Sequence, residues 1–213
     1  MIIDHEHPAY ISRWAHSGMN RHNGAFYYSK EIVKNIIPNV KTDRNWITVN
    51  IPFFGLSHSI VFIHNNKYPQ HYDWLSRFDD LILVCGIPET CEKVKHLGTP
   101  IYLPLSIDVN EVLKYKTEKT KGTAYAGRQG KRRFHSFGDG VDLLEALPRE
   151  ELLKKMAEYK NIFAVGRTAI EAKCLGCNIF PYDERFPDVG RWNVVDNLEA
   201  AKMLQEKIDE LDY

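Results

Sequence analysis

Two runs decide the fold class: Gly122-Thr-Ala-Tyr-Ala-Gly127-Arg128, and Asn161-Ile-Phe-Ala-Val-Gly-Arg-Thr-Ala-Ile-Glu171-Ala-Lys-Cys-Leu-Gly176. Each begins as a short β-rich stretch that ends in Gly-Arg, and in the second a helix follows at once. Strand, glycine turn and helix in that order belong to a parallel sheet, whose neighbouring strands can be joined only by long crossovers. Working outward, the same alternation covers most of the chain. Ser59–Ile63 and Asp80–Cys85 are almost continuously apolar, as strands buried on both faces require. Further strands are predicted at 11–14, 46–51, 100–104, 140–146 and 177–180, with helices over 25–37, 68–77, about 86–97, 148–156, 168–175 and 198–211. Pro38 stops the first helix, Gly98 caps the third, and Pro148 with two following acids opens the fourth. The predicted class is α/β, and the charged stretch after Ser106 marks a boundary near residues 105–108.

Composition narrows the function. With 213 residues and 44% hydrophobic content, the chain can bury one large core or two small ones. Lys plus Arg equals Asp plus Glu at 28 each, so the basic excess of a sequence-blind nucleic-acid binder is absent. No apolar run approaches the ~20 residues of a membrane helix, and the first residues lack a signal-peptide pattern, so the expected location is the cytoplasm. Cys85, Cys91, Cys174 and Cys177 read as buried reduced thiols. The single CxxC at 174–177 has no second pair to complete a four-ligand zinc site. His5, His7, His16 and His22 leave a metal-hydrolase reading open, but no carboxylate cluster accompanies them. Trp14, Trp46, Trp74 and Trp192 read as core or interface residues.

The candidate chemistry gathers in the second half. Gly127 and Arg128 stand at the carboxyl end of a predicted strand, where ligands bind in open parallel sheets. Glycine permits close backbone approach, and Arg128 with Lys131 supplies fixed positive charge for a diphosphate. Gly166-Arg167-Thr168 forms the second turn, with Thr168 as the expected helix cap and the helix amides as an anion site. Glu171, one turn into that helix, can reach toward a bound ligand. A solvated basic turn and a helix-dipole glutamate remain the plainer alternatives.

Tyr102-Leu-Pro-Leu-Ser-Ile-Asp108, then Ala126-Gly-Arg128 with Lys131, then Gly166-Arg-Thr-Ala-Ile-Glu171-Ala with Gly176, resemble in order and spacing the glycosyltransferases of the GT-B fold, in their glycogen-synthase-like and sucrose-synthase-like superfamily. The resemblance implies two Rossmann-like parallel-sheet halves facing each other across a cleft, divided as 1–106 on the acceptor side and 107–213 on the nucleotide-sugar side. It implies that Arg128 and Lys131 bind the donor diphosphate and that Glu171 holds the donor ribose. Ile60-Val-Phe-Ile-His64 is similar to the family's strand ending in a histidine near the reactive sugar. The loop with Gly18 and Asn20, and less directly His16, is similar to the one facing donor phosphates and acceptor. Two departures stand out: the chain is much shorter than the family's usual members, and the family's second glutamate, eight positions before Glu171, is replaced by Phe163. The implied activity is metal-independent, retaining transfer of a sugar from a nucleoside-diphosphate sugar to an unknown acceptor, with no cofactor and no Asp-x-Asp metal motif. A nucleotide-binding protein without transfer activity and a glycosyltransferase of modified DNA bases are the alternatives, the latter making nucleic acid the acceptor.

Overall fold

Strands form where apolar, β-branched runs are bounded by turns. In the computed structural model they are β1 Ile2–Ile3, β2 Asn45–Ile47, β3 Ser59–Ile63, β4 Leu81–Cys85, β5 Thr99–Tyr102, β6 Ser106–Ile107, β7 Lys121–Gly127, β8 Val141–Glu145, β9 Tyr159–Phe163, β10 Asn178–Phe180 and β11 Val195–Asp196. The α-helices are α1 Gly24–Glu31, α2 Pro88–Val94, α3 Val109–Leu113, α4 Arg149–Ala157, α5 Arg167–Cys174 and α6 Asn197–Leu211. The structure describes residues 1–4, 6–8, 24–49, 56–64, 69–127, 137–183 and 192–211. The strand expected at 11–14 lies outside them.

The chain divides into two compact units, Met1–Pro104 with Asn197–Tyr213, and Leu105–Asp196. The sequence division at residue 106 assigned the last helix to the second domain. In the structure α6 packs within the first unit: Asn197 Nδ2 donates to Glu31 Oε2 at 2.8 Å, and Gln205 Nε2 donates to the Lys41 carbonyl at 3.2 Å. Its Ala200, Ala201, Leu204 and Ile208 are buried, at the one-turn spacing that lays a helix on its apolar face.

The first unit carries a five-stranded parallel sheet in the order β1-β2-β3-β4-β5. Every residue of β3 and β4 is buried, which accounts for their unbroken apolar sequence. On one face Val61, Ile63, Leu81 and Leu83 pack with Tyr72 and Leu75 of the 3₁₀ helix Pro69–Arg77 and with Val94 of α2. On the other, Phe62 meets Tyr28 edge-on at 6.4 Å and stacks with Trp46 at 6.3 Å. The helix predicted over 25–37 is α-helical only to Glu31. It continues as a π segment, Ile32–Ile36, and closes as a 3₁₀ turn, Ile37–Asn39, containing Pro38. Proline removes the next amide donor, so regular α geometry cannot run on through it.

The second unit carries a four-stranded parallel sheet in the order β10-β9-β7-β8. β7 stands inside, with the next strand on one side and the two later strands on the other. Small residues Ala124, Ala126 and Ala164, with Leu144 and Ile162, face Leu153 and Met156 of α4 and Ala169 and Ile170 of α5. The alanines bring the helices close to the sheet. Sequence reading passed over α3, yet Asp108 caps it by accepting the Glu111 amide at 2.9 Å. Also unexpected was a two-strand parallel pairing of β6 with β11.

Candidate functional site

The strand order of the second sheet reverses at β7, between β8 on one side and β9 on the other. Chains leaving the carboxyl ends of strands on either side of such a reversal go opposite ways, which opens a crevice where open parallel sheets bind ligands. Gly127 ends β7 and Phe163 ends β9, so these two residues stand at the strand ends that flank the reversal.

Gly127 has no room for a side chain: a Cβ there would lie 2.4 Å from Tyr125 Oη and 3.1 Å from Tyr182 Oη. The close approach that glycine permits is thus made by two phenols of the same chain. Gly166 has φ +59° and ψ −140°, a conformation open essentially to glycine. It turns the chain from β9 into α5 and is itself the cap position, without a side-chain cap bond. Thr168, expected at the cap, is therefore inside the first turn. The correction follows from φ: the left-handed turn at Gly166 lets the helix begin one residue earlier.

Arg167 and Glu171 are buried, at 8% and 4% exposure. Arg167 Nε donates to Glu171 Oε1 at 3.1 Å across one helical turn. A second guanidinium reaches the same oxygen: Arg149 donates from Nε at 3.1 Å and from Nη2 at 3.0 Å. Arg149 begins α4 and Arg167 begins α5, so two helix N-termini meet around one carboxylate. Both helices turn the positive ends of their dipoles toward this place, beside the two guanidinium groups. Such a field favours an anion. Sequence reading missed Arg149. Its signal was a cation at the first position of a helix, where the dipole disfavours it; a residue that breaks that rule twice over, at 149 and 167, is one held by a partner.

An aromatic cluster lines the opposite face of the same strand ends. Phe137 lies 4.8 Å from Tyr125 and 5.0 Å from Phe163, Phe180 lies 5.6 Å from Phe163, and Tyr182 lies 5.0 Å from Tyr125. Phe163, where the resemblance placed a glutamate, is thus packed between two rings.

In the first unit, His64 follows β3. Its Nε2 bonds the Thr48 carbonyl at 2.6 Å, and its backbone amide donates to Tyr72 Oη at 3.0 Å. A carbonyl only accepts, so Nε2 carries the proton. Burial pushes the imidazole pKa below its ordinary value, opposed by the Thr48 bond. Of the other expected site residues, His16, Gly18, Asn20, Arg128 and Lys131 lie outside the described residues, as do His5 and His22 of the metal reading.

Among the described residues no group of three or more His, Cys, Asp and Glu is placed to hold a metal ion. All four cysteines are free thiols. Cys177 donates to the Met156 carbonyl at 3.4 Å, and burial pushes its pKa up, as it does those of Cys85, Cys91 and Cys174. Among the described residues no helix is long and apolar enough to cross a membrane. No protein-family model matches the chain, and no curated protein and no solved structure matches it.

Proposed function

We propose that the protein is a glycosyltransferase that takes its sugar from a nucleoside-diphosphate sugar bound at the carboxyl edge of the second sheet. The observation that carries this reading is the buried Arg167–Glu171 pair with the half-buried Arg149 on the same carboxylate, set where two helix N-termini meet beyond a strand-order reversal. It joins an acceptor for hydroxyl groups to a field that favours phosphate, the two recognition elements a nucleoside diphosphate needs. Arg128 and Lys131 follow directly after Gly127 in the chain and take the diphosphate in this reading. As the bond from the anomeric carbon to the phosphate oxygen breaks, negative charge grows on the leaving group, and cations already in place lower the barrier. The resemblance supports retention of configuration, and no protein nucleophile is assigned.

A second reading, a nucleotide-binding protein without transfer, has its own observation: Phe163 fills with an aromatic ring the position where the resemblance expects a sugar-binding carboxylate. Nucleotide binding is common to both and is tested first, by thermal shift with UDP, GDP, ADP and CMP on the native protein, Arg128→Ala and Glu171→Gln. A ligand bound only by the folded state stabilises it by about 2.7 kcal/mol at a hundred times its dissociation constant. A shift with one nucleotide that both substitutions abolish supports the site; no shift with any of them overturns it. Release of the free nucleoside diphosphate from its sugar conjugates then separates transferase from binder.

A further inference from the structure

All three hydrogen bonds to the Glu171 carboxylate end on one atom, Oε1. Among the described residues none reaches Oε2. The side chain is only 6% exposed, and Oε2 lies at the small opening it keeps to solvent. A carboxylate oxygen in that position can accept from a donor that a ligand brings.

The two arginines act differently on it. Arg167 lies four residues away on the same helix, and one bond from Nε alone leaves the carboxylate free to turn about its last torsion. Arg149 comes from a different helix, 22 residues away in sequence, and grips Oε1 through two of its nitrogens. With Oε1 held from two helices, the turn about that torsion is fixed and Oε2 is the oxygen left for a ligand. Guanidinium is always charged and its donors are a rigid fork, so the grip does not relax with pH.

We propose that Arg149 is a positioning residue whose hold on Oε1 aims Glu171 Oε2 at a ribose hydroxyl, making the site selective for ribonucleotides over their 2′-deoxy counterparts. The inference rests on the nucleotide-site reading above and adds to it the residue that sets the sugar preference. Arg149 need not touch the ligand; it acts through the orientation of Glu171.

The test is the ratio of dissociation constants for the 2′-deoxy and ribo forms of UDP, GDP and ADP, measured by calorimetry. It is run on the native protein, Arg149→Lys, Arg149→Gln and Glu171→Gln, with sucrose present to favour the folded state of each variant. A hydrogen bond to a charged group gives a native ratio of about 10 to 100. That ratio is expected to fall to about 3 or less in both Arg149 variants. Arg149→Lys keeps the positive charge and with it the binding of the deoxy form, whereas Arg149→Gln also weakens both forms alike through the lost charge. A general loss of fold or of phosphate binding weakens both forms alike and leaves the ratio where it was. A full ratio retained in Arg149→Lys and Arg149→Gln but lost in Glu171→Gln overturns the role of Arg149 and leaves the nucleotide site standing. Tight binding by the native protein with a ratio near one overturns the ribose preference. Failure of the native protein to bind any of the nucleotides overturns the site and this inference together.

Discussion

The two sheets are built from the same parts and differ in how the strands are ordered. The first runs β1 to β5 in chain order, and every described neighbour is the next strand along. The second reverses at β7. A sheet that adds strands always on one side has no point where successive connections part, whereas a reversal creates one. The buried polar groups follow the same division. In the first unit a buried pair, Ser29 Oγ with Thr48 Oγ1 at 2.7 Å, is neutral. In the second, the Arg167 guanidinium and the Glu171 carboxylate are buried beside the reversal, with Arg149 half-buried against them. Neutral pairs hold elements together at small cost, while buried charges are costly unless paired, and are kept where a ligand or a register needs them.

That contrast can be broken in order of size. Glu171→Ala takes the carboxylate away from the buried Arg167 and the half-buried Arg149 and is expected to destabilise the second unit by about 3 to 5 kcal/mol. Chemical denaturation measures it; a loss below 1 kcal/mol, on the scale of an exposed pair, denies the group its buried character. Next comes Gly127→Ala, whose methyl meets the Tyr125 and Tyr182 hydroxyls. Overpacking of this kind costs about 1 to 3 kcal/mol, and Gly127→Ala in a Tyr182→Phe background should recover part of it. In the first unit, Ser29→Ala removes one half of a neutral pair and is expected to cost about 1 to 2 kcal/mol in the same measurement. A cost for Ser29→Ala equal to that of Glu171→Ala would erase the distinction between the units.

The smallest effect is a pH dependence. His58 Nδ1 contacts Asp80 Oδ2 at 2.5 Å and Nε2 contacts Asp43 Oδ1 at 2.9 Å, with Arg44 on Asp80 at 2.8 Å. The hydrogen bonds that His58 gives to the Asp80 and Asp43 carboxylates raise its pKa, and His58 lowers those of both aspartates. The histidine contribution is complete below its ordinary pKa and is lost as pH rises through the raised folded value. The aspartate contributions are present above the ordinary carboxylate range and are lost as pH falls through their lowered folded values. Melting temperature should therefore peak between those limits, and His58→Ala should flatten the alkaline side. His58 and both aspartates are solvent-exposed, so salt screens the effect; an alkaline fall unchanged in His58→Ala assigns it elsewhere.

Much of this was legible along the chain. Ser59–Ile63 and Asp80–Cys85 announced buried strands because a strand covered on both faces has no polar alternation to show. Gly127 stood out where a strand stops, Gly166 where a strand passes into a helix, and Glu171 one turn into that helix. Short pieces escaped: β1, β6 and β11 have two residues each, too few for any period to register. Arg149 escaped because its partner is 22 residues away, and nothing in Pro148-Arg-Glu-Glu names Glu171.

By itself the sequence determined the α/β class, the buried strands and the glycine turn at Gly166, because burial, period and backbone conformation are written locally in residue type. The tertiary structure alone decided the strand order of each sheet, the place of α6 in the first unit and the closing of Arg149 onto Glu171. Those depend on which apolar face finds which partner, and many partners satisfy the same local pattern. Only packing the whole unit at once chooses among them.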